Sequence, residues 1–393
     1  MKNKYDVIVV GAGPGGSIAA RTCARGGLDV LLIEKRQEIG DPVRCAEGVG
    51  RDALLKHIKP DKRWIASEVK GSRIFSPDGT EIVMSEDASS NMKVGYVLER
   101  KVFDRVLAQE AAMAGAEVMV KTRATGLLRS TGKVSGIKAM YMGETYDIKS
   151  DIVIGADGIE SKVGRWGGID TSLRPGDIET GAQFLISNID PGEYNMFYLG
   201  ERYAPGGYSW VFPKGEHTAN VGLGILGSKA GKVRAISLLH RFIESHMPEG
   251  KIVEIVVGGV PVSGPIKKTI GDGLMLVGDA ARQSDPLTGG GITNAMDAGM
   301  MAGEVCIKAR EKGDYSVRIL KEYEDKWRAT IGHEMNKSLK VKNLLVKLTD
   351  EQLDRLAHSL AGVDTQKMEL PALLFTLFKK NPKILWELKS LFV

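Results

Sequence analysis

The sequence predicts an α/β fold: a Rossmann-type nucleotide-binding domain, an antiparallel β-sheet domain inserted into it, and a helical C-terminal region. Three observations carry this expectation. The chain opens on an apolar β-branched run, Tyr5–Val10, that enters the glycine loop Gly11–Gly16. Two later apolar runs, Asp151–Gly158 and Gly273–Asp279, also end in glycine and aspartate. Between those two runs, residues from about 171 to 265 lack a nucleotide loop and read as alternating strands. The expected bounds are 1–170 and 266–330 for the two parts of the nucleotide domain, 171–265 for the inserted sheet and 331–393 for the helical region. A hairpin near 72–97, turning at Pro77-Asp78-Gly79, is expected to join the sheet.

The first element is the most informative. Gly11, Gly13 and Gly16 satisfy G-x-G-x-x-G between a strand and a small-faced helix, Ser17–Arg25. A second strand, Asp29–Ile33, then ends on Glu34. Gly11 permits the tight turn, Gly13 lets backbone approach a pyrophosphate, and Gly16 lets the helix pack closely on its strand. The helix N-terminus favours the phosphates, and Glu34 accepts hydrogen bonds from an adenosine ribose. Strand, loop, helix, strand and acid in this order identify a dinucleotide site. Its place at the start of the chain favours FAD over NAD.

Composition agrees. Glycine is in surplus, with 48 in 393 residues, where average usage of about 7% would give roughly 28. Ten of them fall in the three motifs, at Gly11, Gly13, Gly15, Gly16, Gly155, Gly158, Gly278 and Gly289–Gly291. The net charge of +5 is spread along the chain, which argues against nucleic acid as a partner. Cys23, Cys45 and Cys306 make no CxxC pair and no zinc spacing, so neither a disulfide scaffold nor an iron–sulfur cluster of this chain alone is expected. The six histidines form no triad or metal cluster, and no metal is expected. Without a leader-like N-terminus or an apolar run of about 18 residues, a cytoplasmic protein is expected, peripheral at most on the inner membrane surface.

With Asp279 followed by Asp285–Gly299 (DPLTGGGITNAMDAG), the three motifs resemble those of the FAD-dependent hydroxylase and reductase superfamily. These are glutathione-reductase-like flavoproteins typified by para-hydroxybenzoate hydroxylase. A further motif narrows the resemblance. Pro205-Gly-Gly-Tyr208-Ser-Trp210-Val-Phe212-Pro213 matches the P-x-x-Y-x-W-x-F-P pattern of geranylgeranyl reductases. With Arg44-Cys45-Ala46-Glu47-Gly48, it makes the chain resemble the archaeal digeranylgeranylglycerophospholipid reductases over essentially its full length.

That resemblance implies FAD as cofactor and a set of cofactor-binding residues: Gly11, Gly13, Gly15, Gly16, Glu34, Lys35, Arg44, Cys45, Ala46, Gly48, Arg100, Ala124, Asp279, Gly290, Gly291 and Ile292. Within it, Asp279 binds the flavin ribityl chain and the Gly289–Ile292 backbone lies beside the isoalloxazine ring. The expected helix Thr293–Glu304 would favour negative charge on the reduced ring. The implied reaction is saturation of isolated C=C bonds in the geranylgeranyl chains of a polyprenyl glycerolipid. No carbonyl polarises such an alkene, so hydride transfer must be coupled to protonation in a dry site. Tyr208, Cys45 or a bound water is the expected proton source, and Cys45, Tyr208 and Trp210 are the candidate catalytic residues. Tyr208, Trp210 and Phe212 alternate onto one strand face and would form an aromatic wall for the prenyl chain.

Two alternatives share the fold: an NAD(P)H-dependent aromatic hydroxylase and a non-enzymatic prenyl carrier. The hydroxylases continue their middle motif as Ser-x-Val-Arg, whereas this chain has Ser161-Lys-Val163-Gly164, with Arg165 one place later. The external electron donor, reduced ferredoxin-like or NAD(P)H, stays open. The tail suggests lipid: Lys321–Leu348 has a helical pattern, and residues 331–393 carry ten Lys/Arg against seven Asp/Glu. Apolar faces edged by lysine fit a peripheral membrane element, a cap over a lipid tunnel, a helical subdomain packed on the core or a homodimer face.

Overall fold

A computed structural model describes residues 2–84, 94–360, 376–377 and 380–382. Of the apolar stretches on which the lipid-tail reading partly rests, ILWELKSLFV and all of ALLFTLF, after Pro371, but Thr376 and Leu377 lie outside the described residues. The chain divides into two compact units, each made of three segments. The first takes residues 1–43, 100–173 and 261–337; the second takes 44–99, 174–260 and 338–393.

The first unit is built on an eight-stranded sheet. Its parallel part runs Leu274–Leu276, Glu144–Gly155, Lys4–Val10, Val30–Ile33 and Glu117–Met119, with Val9 opposite both Ile154 and Leu32. These strands are near-continuous Val, Ile and Leu because both faces are covered. The first half of Glu144–Gly155 also pairs antiparallel with Lys133–Tyr141, which pairs in turn with Thr122–Ser130. On one face the helix Pro14–Arg25 packs against the long helix Ile292–Lys312 through small residues. A Cβ on Gly299 would strike the carbonyl of Gly15, and one on Gly303 would lie 2.6 Å from Thr22 Cβ. The helix Val317–Trp327 closes this core with Leu320, Tyr323 and Trp327 fully buried. Tyr323 donates to the Leu276 carbonyl at 2.6 Å and Trp327 Nε1 to Thr269 Oγ1 at 3.1 Å.

The second unit is built on a seven-stranded sheet. Its order is Lys251–Pro261, Ile178–Ser187, Thr218–Leu226, Tyr208–Gly215, Asn195–Leu199, Ser72–Phe75 and Glu81–Met84. The last two strands pair antiparallel across Gly79, and Asp78 Oδ1 accepts from Ser76 Oγ, Thr80 N and Thr80 Oγ1. A separate three-stranded sheet holds Gly48–Gly50, Gly95–Leu98 and Ile65–Val69. Residues 44–99 as a whole therefore group with the large sheet, well beyond the expected hairpin.

The inserted region is not all strand. Ala235–His246 is a helix, and Leu238, Leu239, Phe242 and Ile243 pack on Phe184, Ile186, Val211, Val221 and Leu223. Its three-and-four spacing of apolar residues is the signal that an all-strand expectation passes over. The tail also differs in detail: Lys321–Leu348 is divided between Val317–Trp327, a wide turn at Arg328–Gly332, and His333–Leu345. Lys342, which the alternating leucine–lysine pattern places at a solvated edge, is buried to 5% exposure.

Candidate active site

In the first unit, the three motifs fold into adjoining strand ends. Gly11 sits at φ +108°, and a Cβ there would strike the Ala156 carbonyl of the middle motif. A Cβ on Gly16 would strike the Gly11 carbonyl, and one on Gly15 would come within 2.9 Å of the Ala295 carbonyl. Those three glycines serve close backbone packing. Gly13 differs, since a Cβ there would meet only open space. It caps the N-terminus of Pro14–Arg25, which has no side-chain cap and no acidic residue in its first turn. This open, uncapped helix start is the kind of cradle a pyrophosphate fills.

Glu34 ends its strand with Oε2 accepting from Ala12 N at 3.2 Å and Oε1 from Arg36 N at 3.0 Å. Lys35 instead turns towards Glu160, 3.9 Å away and half-exposed. Asp157 was not singled out from the sequence. Its Oδ2 accepts from Val163 N at 3.0 Å, whereas Oδ1 is buried with no hydrogen-bond partner. Burial raises its pKa, with backbone N–H groups, that of Val163 foremost, opposing and Lys35 adding to them. A buried acceptor of this kind calls for a donor from a bound group.

Asp279 and Arg100 act on one another electrostatically. Burial raises the Asp279 pKa, Arg100 opposes that rise and Glu160 adds to it. Arg100 itself is held by Asp104 in a two-point ion pair, Nε–Oδ1 2.9 Å and Nη2–Oδ2 2.7 Å. Asp279 also lies against the glycine run: a Cβ on Gly291 would be 3.4 Å from Asp279 Oδ1. Asp285 shapes that run, its Oδ1 accepting from Leu287 N, Thr288 N and Thr288 Oγ1. Gly290 N donates to Thr288 Oγ1 at 3.2 Å, and the helix Ile292–Lys312 then starts with no side-chain cap. The structure thus brings Arg100, Asp279, Gly290, Gly291 and Ile292 into one region. Ala124 lies on the Thr122–Ser130 strand, opposite Ala139 and packed on an aliphatic core.

In the second unit, directly paired residues of antiparallel strands share a face, so the register fixes one side of the large sheet. Tyr208 pairs with Gly224, Trp210 with Gly222 and Phe212 with Asn220. Gly224 pairs onward with Gly181, and Gly222 with Gln183. The three aromatic residues therefore share the face opposite the one under Ala235–His246. Phe197, which the sequence reading missed, joins them at 5.5 Å from Tyr208 and 5.3 Å from Phe212 between ring centroids. Glycines floor the wall: a Cβ on Gly222 would lie within 2.6 Å of Trp210 Cε2 and 2.8 Å of the Ala182 carbonyl.

The Arg44–Gly48 segment is fastened to this face. Trp210 Nε1 donates to Gln183 Oε1 at 3.0 Å, and Gln183 Nε2 donates to the Cys45 carbonyl at 3.1 Å. Cys45 Sγ accepts from Glu47 N at 3.2 Å. The Arg44 side chain lies along Gly258, and a Cβ on Gly48 would be 2.8 Å from Phe212 Cε2. Ala46 packs with Phe212, Val69 and Val97, and its carbonyl accepts from Asn220. Glu47 sits at φ 74° and is buried. Its Oε2 meets Lys214 Nζ at 2.8 Å and Asn220 Nδ2 at 2.6 Å, while Lys214 also donates to the Leu98 carbonyl and Glu99. Gln183, Lys214 and Asn220 were missed because their roles arise from cross-strand pairing, and Glu47 entered the sequence reading only as part of the Arg44–Gly48 motif.

Among the described residues, no group of three or more His, Cys, Asp or Glu is arranged to hold a metal ion. Known proteins match both units. Residues 4–188 match the FAD binding domain model, and residues 177–260 match the geranylgeranyl reductase catalytic domain model. Digeranylgeranylglycerophospholipid reductase 2 of Methanococcoides burtonii is 63% identical over 100% of this chain and 97% of its own length. The digeranylgeranylglycerophospholipid reductase of Methanothrix thermoacetophila is 61% identical over 99% of each chain. A geranylgeranyl bacteriochlorophyll reductase-like structure from Thermoplasma acidophilum superposes with a TM-score of 0.94 at 42% identity, covering 99% of both chains. A flavin-dependent brominase structure shares the fold at 18% identity, with a TM-score of 0.71 over 96% of this chain and 100% of its own. The expected α/β architecture and the FAD cofactor stand, and the chain belongs to the digeranylgeranylglycerophospholipid reductase family of FAD-dependent oxidoreductases.

Proposed function

We propose that this chain saturates isolated C=C bonds in the geranylgeranyl chains of an archaeal-type glycerolipid during membrane lipid synthesis. The observation that carries the reading is the aromatic wall of Tyr208, Trp210, Phe212 and Phe197 over a glycine floor. An apolar face of this kind takes a prenyl chain by burial, worth about 0.8 kcal/mol per CH₂. Relatives above 60% identity that are named as reductases of this lipid support the choice. Reduced FAD supplies hydride when bound.

The protein's own residues position and dry the alkene. Gln183 fixes the Trp210 indole and ties it to the Cys45 carbonyl, so wall and Arg44–Gly48 segment hold a common geometry. Glu47 and Lys214 lock that segment in place. Tyr208, at the open end of the wall, and Cys45 contact the substrate. Glu34, Arg100, Asp157 and Asp279 hold the cofactor, with the Gly13 and Gly290–Ile292 backbone beside its anionic groups.

The electron donor is external, reduced ferredoxin-like or NAD(P)H, and the arginine with which the hydroxylases continue their middle motif has no counterpart here. Position 164, arginine in the hydroxylases, is here a buried glycine whose Cβ would lie 2.7 Å from Thr171 Cγ2 and 2.9 Å from Leu276 Cδ1. No arginine fits there, and Arg165 is exposed. The membrane is met peripherally. Among the described residues, no helix is long and apolar enough to cross a bilayer. At the sheet edge, Ile252, Val253, Ile255 and Val257 are 48%, 63%, 59% and 60% exposed, an aliphatic ridge suited to the surface where the lipid substrate resides.

The test supplies dithionite-reduced protein with digeranylgeranyl glycerolipid and follows the product by mass spectrometry. Gains in steps of two hydrogens are expected; an unchanged lipid mass would sink the reading.

A further inference from the structure

One acidic side chain lies on the face of the sheet that carries the aromatic wall. Glu179 lies on the Ile178–Ser187 strand, two residues before Gly181 and four before Gln183, and so shares their face. Its carboxyl rests on the glycine floor. A Cβ on Gly224 would lie 2.7 Å from Glu179 Oε2, and a Cβ on Gly207 would lie 3.4 Å from Glu179 Cδ. Gly224 is the direct strand partner of Tyr208. The acid therefore lies at the Tyr208 end of the aromatic wall, in space that a side chain at 224 would take. Lys342, on the helix His333–Leu345 and 5% exposed, acts on it electrostatically.

We propose that Glu179, poised against Lys342, is the acid that protonates the alkene in this site. The inference rests on the prenyl-reductase reading above. One alkene carbon accepts hydride with its electron pair from the reduced cofactor, and the other accepts the Glu179 proton. The π bond is lost and two C–H bonds form. Glu179 is left as a carboxylate facing the Lys342 ammonium, and a proton from water restores the acid.

The electrostatics suit that cycle. Burial pushes Glu179 up to about 7 while Lys342 pulls it down. Burial lowers Lys342, with Glu179 and then Asp177 opposing. Among the described residues, Lys342, Asp177, Tyr208 across Gly224, and Lys229, whose Cδ lies 2.9 Å from a Cβ on Gly206, are titratable side chains on this side of the carboxyl. Lys229 is itself paired with Glu201. Glu179 is thus protonated at the onset of neutrality, as a donor to an unactivated carbon must be.

The experiment measures anaerobic reoxidation of the reduced holoenzyme by digeranylgeranyl glycerolipid across pH, for the wild type, Glu179→Gln and Glu179→Asp. Wild-type rates are expected to fall about tenfold per pH unit above the acid's pKa, and Glu179→Gln to lose about 100-fold or more with a flat profile. Glu179→Asp should recover a sloped profile, and lipid binding and FAD content should be unchanged in both variants. Difference infrared spectroscopy should show a carboxylic-acid carbonyl band that titrates near neutrality and is absent in Glu179→Gln. Wild-type rate and slope in Glu179→Gln would overturn the assignment. A wild type that fails to reduce the lipid would instead overturn the substrate reading beneath it.

Discussion

Four glycines of each unit can be set side by side. In the first, Gly11, Gly15, Gly16 and Gly299 bring backbone against backbone: each missing Cβ would strike or crowd a carbonyl of a neighbouring element. In the second, Gly48, Gly222, Gly224 and Gly258 make room for side chains, respectively Phe212, Trp210, Glu179 and Arg44. Backbone contacts of the first kind define a rigid phosphate cradle for any dinucleotide. The second kind moulds a surface around particular side chains, the surface proposed above to take the substrate. Catalytic fold and substrate preference are thus written in the same residue type by two different geometries.

This contrast can be broken in several places. The largest effect is expected where the second unit relies on buried charge. Lys214→Met would strand Glu47 in the interior at a cost of about 3–5 kcal/mol, whereas replacing both partners by apolar residues of similar volume costs far less. A denaturant-unfolding cycle over the two sites checks this. Next, Gly16→Ala in the first unit meets an immovable carbonyl. It should cost about 1–3 kcal/mol and release FAD, seen as loss of the yellow cofactor on gel filtration. Gly222→Ala meets a side chain that can shift. A smaller loss of about 1 kcal/mol is expected, with FAD retained and the damage confined to lipid KM and Trp210 fluorescence.

A pH effect follows from Glu179. Its acid is protonated in the folded state up to about pH 7, while an unfolded glutamate ionises near 4.3. Between these values the folded protein binds the extra proton, so wild-type stability declines as pH rises through the window. Glu179→Gln should remove that component of the slope, measured by urea unfolding at several pH values. The smallest effect on stability belongs to Ile255→Glu on the exposed ridge. It should stay within about 0.5 kcal/mol of the wild type while lowering co-sedimentation with anionic lipid vesicles.

Much of the first unit was legible because its chemistry is local. The loop Gly11–Gly16, Glu34 and the Asp279 motif stand at offsets that strand and helix geometry dictate, and the structure gathers them at adjoining strand ends. Asp157 was passed over although its motif was seen, because an orphaned oxygen shows only in three dimensions. In the second unit, the period-two run Tyr208, Trp210 and Phe212 announced a wall. Its floor, its fourth ring Phe197 and its acid Glu179 come from other strands, and single-strand periodicity carries no register between strands. Lys342 illustrates the converse: a solvated-looking lysine pattern conceals one buried ammonium that acts on the acid Glu179. The glycine surplus left after counting the motifs now has a physical account in part, at Gly206, Gly207, Gly222, Gly224, Gly299 and Gly303.

The segment plan also constrains how the chain matures. Six segments alternate between the two units, so neither unit is contiguous in sequence. The seam between Pro14–Arg25 and Ile292–Lys312 joins residues nearly 300 positions apart, Gly15 with Gly299 among them. The cofactor cradle therefore stays incomplete on the ribosome until three-quarters of the chain has emerged. Such non-local pairing slows folding and leaves early strands exposed in the interim. No truncation that stops before the long helix yields half an enzyme, and cofactor capture is expected among the last events of synthesis.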